Sequence, residues 1–365
     1  MKKILIVGLY NTVGGIEKFY LEYLKLLDRT RIEFSLLNEY TEICFEKKFI
    51  EMGIKIEKVC SRRNPYSYFK EIKKLILKNQ YDIVHINMLS CANIIPLLAA
   101  KSCNVKIITH SHNGDMPADY SLRSFIKRFL HIYNKYFVNK YSDVKLACSR
   151  KAGFFLYGKN KKFLIIKNAI DVDNYAFSEK KRALIRNEFS ISDDIKIIGH
   201  VGRFEYQKNQ EFLIEIFQKY VSINKNAILM LVGVGNNLEK CKILVRQLNI
   251  QDKVIFCGLR DDIPSLLSAF DIFVFPSRFE GLSIAGIEAI CSGLPILASD
   301  TISEEMDIIK SVKWLSLKDS YTVWSTEINN LLNIKKDRKK SAFDIRDAGF
   351  DIKSNLKILE SLYLQ

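Results

Sequence analysis

The stretch from Asp271 to Asp300, DIFVFPSRFEGLSIAGIEAICSGLPILASD, most constrains what this chain can become. Asp271 to Phe275 is a short β-branched and aromatic run stopped by Pro276, which predicts a buried parallel strand feeding a polar loop. Ser283 is placed to cap a helix whose apolar residues, Ile284 to Cys291, fall at helical spacing. Gly293 and Pro295 close that helix before a second apolar run, Ile296 to Ala298. In such a unit the ligand sits beyond the strand's carboxyl end, where the backbone N–H groups of Leu282, Ser283 and Ile284 face an anion. A diphosphate fits there. Two carboxylates flank the place, Glu280 in the loop and Glu288 inside the helix. On their own they read as a first-turn charge favoured by the helix dipole and a solvated helix residue.

A second pattern precedes this one. The strand Lys196–Val201 runs into Gly202-Arg203-Phe204-Glu205-Tyr206-Gln207-Lys208-Asn209, which sets Arg203 and Lys208 where a strand ends and a helix begins. Strands are also expected at Lys3–Leu9, Glu33–Leu37, Ile54–Val59, Asp82–Asn87, Val105–Thr109, Asp143–Cys148, Phe163–Ile166, Ile228–Val232 and Val254–Cys257. Helical patterns fall between them, one opened by Asn64-Pro65 as cap and first residue. This alternation predicts parallel α/β sheets. With 365 residues, the chain is too long for one core, so two domains of about 160 to 190 residues are expected. The first turn, Gly14-Gly15, lets the backbone pass close to a neighbour or a ligand, and an ordinary tight βα turn explains it as well as a binding site does. It lacks the full dinucleotide fingerprint, so no nicotinamide cofactor is expected. His110 and His112 end the strand Val105–Thr109, where capping a strand and serving a site are equally open readings. Asp262 is expected to cap the helix Ile263–Ala269.

The net charge of +15 lies wholly in residues 1–165, with 29 Lys and Arg against 14 Asp and Glu. One half of the molecule therefore faces an anionic partner. The segment Tyr120 to Tyr141 sets Phe125, Phe129, Ile132, Tyr133, Tyr136 and Phe137 on one stripe beside Arg123, Lys127, Arg128, Lys135 and Lys140. It reads either as a core helix with a solvated basic edge or as a membrane-surface helix. Eight scattered cysteines without a C-x-x-C pair suggest reduced, buried thiols and argue against zinc. No apolar run of transmembrane length and no signal peptide is seen, so a cytosolic chain is expected.

The stretch FPSRFEGLSIAGIEAICSGLP resembles the signature of retaining GT-B glycosyltransferases, in particular glycosyltransferase family 4, and the G-R-x-x-x-x-K-N pattern resembles that family's diphosphate clamp. The resemblance implies two Rossmann-like domains facing a cleft. By it, Glu288 holds the ribose of a nucleotide-sugar, Glu280 and His112 (His110 second) lie against the donor sugar, and Arg203 and Lys208 clamp the diphosphate. Gly14 and Gly15 lie beside donor phosphate and acceptor, and the Gly258-Leu259-Arg260-Asp261-Asp262 loop reads the base through its backbone. Gly286 departs from the family, which has a larger apolar residue there. The implied domains are residues 1–167 on the acceptor side, 168–190 as linker, 191–340 for the nucleotide-sugar, and 341–365 as a helix crossing back. Asp171-Val172-Asp173 imitates a metal-binding D-x-D, but its place in the linker speaks against that.

The expected activity is transfer of a sugar from a UDP-sugar to a hydroxyl of a growing, lipid-linked surface oligosaccharide, with retention and without a metal. The enzyme would sit peripherally on the inner face of the cell membrane. A non-hydrolysing UDP-sugar epimerase and a basic nucleic-acid-binding protein are the alternatives.

Overall fold

A computed structural model describes residues 1–12, 15–115, 121–280, 282–334 and 337–365. Gly14, one of the expected donor contacts, lies outside them. The chain divides into two units, Met1–Ala169 with Ile352–Gln365, and Ile170–Asp351.

The first unit alternates β1 (Lys2–Val7), α1 (Gly15–Leu26), β2 (Ile32–Asn38), α2 (Glu46–Glu51), β3 (Lys55–Lys58), α3 (Pro65–Asn79), β4 (Ile83–Met88) and α4 (Ile95–Ser102). It continues through β5 (Lys106–Ser111), α5 (Leu122–Tyr141), β6 (Val144–Ala147), α6 (Arg150–Tyr157) and β7 (Leu164–Ile165). All pairings are parallel and the strand order is β3-β2-β1-β4-β5-β6-β7. A parallel strand buries both faces, which is why β1 and β4 read as near-continuous apolar runs. One face packs Ile4, Ile6, Phe34 and Ile108 against α1, and the other packs Leu5, Val7, Val84 and Ile107 against α3 and α4. Asn64 caps α3 as expected, accepting from Ser67 N at 3.2 Å.

The second unit holds α7 (Val172–Tyr175), α8 (Glu179–Glu188), β8 (Lys196–Val201), α9 (Gln210–Ile223), β9 (Ala227–Val232), α10 (Leu238–Gln247) and β10 (Val254–Gly258). After these come α11 (Ile263–Ala269), β11 (Ile272–Phe275), α12 (Ile284–Cys291), β12 (Ile296–Ser299), β13 (Val312–Leu315), α13 (Tyr321–Leu332) and α14 (Lys340–Ile345). Its sheet runs β10-β9-β8-β11-β12-β13, again parallel. Strand β13 is an addition to the expected set: VKWL is short, half-buried and broken by an exposed Lys313, so its pattern is weak. Helix α15 (Ile352–Leu364) belongs to the first unit, where Ile352, Leu359, Leu362 and Tyr363 join the core.

Residues 168–190, expected as the interdomain linker, fall in both units. From Ile170 onward they fold with the second unit, because Arg182 and Arg186 of α8 both bind Asp271 at the head of β11, at 2.8 and 3.1 Å. The second unit also extends past residue 340, since Ala342, Ile345 and Phe350 bury in its core. Gly349, at φ 80°, ends the helical run there.

Candidate active site

In the second unit the chain leaves β8 in one direction and returns to β11 from the other, so the strand order reverses between these two neighbours. A crevice opens at the carboxyl ends of strands wherever that happens, and ligands bind there in open α/β sheets. The loop after β8 carries Arg203 and Lys208, and the loop after β11 carries Glu280. The two loops are stitched together: Asn209 Nδ2 donates to Pro276 O at 3.1 Å, Arg278 N to Gln207 O at 2.8 Å, and Gln207 Nε2 to Phe279 O at 2.9 Å.

The stitching brings Lys208 Nζ to 2.5 Å from Glu280 Oε1, with both side chains mostly buried. The ammonium also lies 4.8 Å from the centre of the Phe275 ring, a contact in which the ring's negative face favours the charge. Arg203 is exposed and forms no ion pair with any described residue. Behind this loop Gly233 and Gly235 adopt φ of 135° and 155°, and a Cβ on either would press into the backbone of Gly202 or Phe204 at 2.2 and 2.4 Å. Only glycine lets the turn after β9 support the Arg203 loop so closely.

Two helices begin beside the pair. Ser283 caps α12, its hydroxyl accepting from Gly286 N at 3.3 Å. The N–H groups of Leu282, Ser283 and Ile284 donate to no described group. Helix α9 begins after Asn209, which sits in the left-handed region at φ 59° and gives no side-chain cap. Both starts leave donors and a positive dipole end toward the crevice. Glu288 is half-buried within α12. The unusual Gly286 is filled from outside, because a Cβ there would lie 2.0 Å from Met306 Sδ. Methionine replaces the bulk that the helix itself lacks.

Leu259, 79% exposed, tips the turn after β10. Asp262 stands at the head of α11 without capping it. Its carboxylate instead binds Arg260 at 2.7 Å, and Arg260 forks onto Glu188 at 2.6 and 2.9 Å. A bidentate charged pair outweighs one cap hydrogen bond. The D-x-D is likewise occupied: Asp171 caps α7 and Asp173 binds Arg346. Among the described residues no group of three or more His, Cys, Asp or Glu is placed to hold a metal ion.

The first unit has its own reversal between β1 and β4. Asn87, near the end of β4, donates from Nδ2 to Val7 O at 2.9 Å. Its Oδ1 is therefore the acceptor, and it receives Tyr20 Oη at 3.1 Å and His112 Nε2 at 2.8 Å. The His112 proton must then sit on Nε2. Burial pushes this imidazole down to about 3, so the ring is neutral and Nδ1 is a bare acceptor. His110 is wholly buried and its ring lies 4.0 Å from that of His112, while His85 bonds Tyr363 Oη through Nδ1 at 2.6 Å. Burial holds both of these well below the ordinary histidine range. Of the two loop histidines, His112 is the one with a fixed tautomer and a partly open residue. Gly15 opens α1, where a Cβ would stand 3.4 Å from Asn168 Nδ2. Glu17, buried two residues later, accepts from Tyr10 N at 2.8 Å.

Two doubly wound parallel sheets, one with a cation and carboxylate at its switch point beside two helix starts, are the architecture of the GT-B class, and it is comparison with known proteins that makes the chain a glycosyltransferase. The model described as Glycosyltransferase Family 4 matches residues 13–174, and that described as Glycosyl transferases group 1 matches residues 181–343. The chain belongs to glycosyltransferase family 4. EpsF of Bacillus subtilis (strain 168) is 26% identical over 361 residues, 96% of this chain and 93% of that protein. The UDP-Gal:alpha-D-GlcNAc-diphosphoundecaprenol alpha-1,3-galactosyltransferase of Escherichia coli is 26% identical over 319 residues, 82% of this chain and 79% of that enzyme. Among solved structures, Anabaena HepE in complex with UDP and glucose superposes with a TM-score of 0.72 at 19% identity, covering 99% of both chains.

Proposed function

We propose that this glycosyltransferase moves a sugar from a UDP-sugar to a hydroxyl of a growing, lipid-diphosphate-linked oligosaccharide, with retention at the anomeric carbon, at the inner face of the cell membrane. The observation that carries the donor half is the Lys208–Glu280 pair at the switch point, flanked by two helix starts with open N–H groups. The lipid-linked acceptor takes its support from the named acceptor of the Escherichia coli relative.

The chemical difficulty is a diphosphate leaving an oxocarbenium-like centre. As the anomeric C–O bond breaks, its electron pair passes to the departing phosphate oxygen. Lys208, Arg203 and the N–H groups at Leu282, Ser283 and Ile284 are the groups that take up this charge. The incoming diphosphate competes with Glu280 for the Lys208 ammonium, and the carboxylate is then left to face the positive anomeric carbon. Glu280 acts electrostatically rather than as a nucleophile. The departing phosphate oxygen takes the acceptor hydroxyl's proton, so no separate base is required. His112, neutral with a bare Nδ1, accepts a hydrogen bond from a sugar hydroxyl. Gly15 lets the backbone approach the phosphates, Glu288 accepts the ribose hydroxyls, and the turn at Leu259 meets the base. With cations and helix ends in these roles, the chemistry proceeds without a metal.

Purified chain, a panel of UDP-sugars, a lipid-diphosphate oligosaccharide and excess chelator should release UDP and form a glycoside whose anomeric configuration, read by NMR coupling, matches the donor's. An inverted product, or activity lost in chelator and restored by magnesium, would refute the mechanism.

A further inference from the structure

Helix α5 is turned inside out. Its buried face is mostly polar, with Ser124, His131, Asn134 and Val138. Two of these clamp it to the loop after β4: Asn134 Nδ2 donates to Cys91 O at 2.9 Å, and Cys91 N donates to His131 Nδ1 at 3.0 Å. The opposite face carries Leu122, Phe125, Ile126, Phe129, Ile132, Tyr133 and Tyr136, exposed by 49–75%. A helix of a water-soluble surface shows the reverse arrangement, and an apolar patch of this continuity marks an interaction site. The sequence-based reading of this segment as a core helix with a basic edge does not hold.

The charges on the helix identify what covers it. Arg123, Lys127, Arg128, Lys135 and Lys140 lie in α5, which contains no acidic residue. The unit that bears it holds 32 Lys and Arg against 15 Asp and Glu. A second copy seated on this face would bring together two units that each carry this large excess of cations, at a cost in repulsion. An anionic lipid surface meets both features at once, since headgroups attract the cations and the acyl boundary accepts the aromatic rings. No described helix is long and apolar enough to cross a membrane, so the contact is one of lying on the surface.

We propose that α5 is an interfacial docking helix that lays its Leu122-to-Tyr136 face into an anionic lipid bilayer. It deepens the lipid-linked acceptor reading above, which it would serve by holding the enzyme on the surface where that acceptor is anchored.

The test is sedimentation of the full-length chain with phosphatidylcholine vesicles and with vesicles containing phosphatidylglycerol, at low and high salt. Wild type should bind the anionic vesicles at least about tenfold more tightly than the neutral ones, and high salt should weaken that binding. The Phe129→Ser, Ile132→Ser double variant should lose at least about tenfold even at low salt. Lys127→Glu, Arg128→Glu should lose about a hundredfold. All four side chains are exposed, so far-UV circular dichroism and thermal midpoint should match wild type. Equal binding to both vesicle types, unaltered binding by the double serine variant, or a dimer that the serine variant dissociates would overturn the proposal. Failure to bind vesicles alongside transfer to the lipid-linked acceptor sinks the docking helix alone. Vesicle binding without transfer from any UDP-sugar sinks the function and leaves the helix standing.

Discussion

Lys208→Ala is expected to lower kcat for sugar transfer by roughly 10²–10³-fold, the loss seen when one preorganised donor to a developing negative charge is removed. The structure adds a complication that the assay must separate. Lys208 Nζ is 2.5 Å from Glu280, and the carboxylate's side chain is 11% exposed. Removing only the lysine strands a buried charge, which typically costs about 3–5 kcal/mol of stability. The double variant Lys208→Ala, Glu280→Gln relieves that charge and should restore the thermal midpoint without restoring kcat. Near-wild-type turnover in the double variant would show that the pair is a structural bridge and that the leaving group is stabilised elsewhere.

The second large effect is on stability. Burial lowers all five histidines: His85 and His112 to about 3, His131 and His200 to about 4, and His110 well below its ordinary range. Unfolded, each has a pKa of about 6.5. The folded-state values are depressed, so below that pH the unfolded chain binds protons that the folded chain refuses. The histidine contribution is present in full above pH ~6.5 and is lost as pH falls toward the folded values. Each such group removes about 1.4 kcal/mol per pH unit once the unfolded form is protonated. Four of the five lie in the first unit and only His200 in the second. Against a typical stability of about 5–15 kcal/mol, the first unit should therefore unfold near pH 4–5, ahead of the second. Both tryptophans, Trp314 and Trp324, belong to the second unit. An acid titration should show far-UV ellipticity falling before tryptophan fluorescence changes. Fluorescence changing first, or urea midpoints that do not move between pH 7 and 5, would contradict this account.

The strand, loop and helix units that carry Lys208 and Glu280 were legible in the sequence because their parts are local. Ser283, Gly293 and Pro295 mark a helix by cap and stop signals within one stretch, and Asn64-Pro65 does the same for α3. What the sequence withheld depends on partners brought from afar. Asn87 fixes the His112 tautomer only because Val7, on a neighbouring strand, fixes Asn87. Tyr363 reaches His85 across 278 residues, and Met306 fills the hollow at Gly286. Asp262 had the right position for a cap, but Arg260 competes for it. Five of the six residues expected on the α5 stripe share the exposed face, while Phe137 packs against the core, and periodicity gives the face and not its direction. Only the polar clamp at Cys91 shows which side is inside.

The claim on which the rest depends is that the second unit's switch point holds a nucleoside diphosphate without a metal. Calorimetric titration of UDP into the full-length chain in excess chelator tests it most directly, with Glu288→Ala beside wild type. The account predicts saturable binding to wild type, weakened by about tenfold to a hundredfold in the variant as charged hydrogen bonds to the ribose are lost. Absence of binding to wild type, or the same dissociation constant in both proteins, would contradict it.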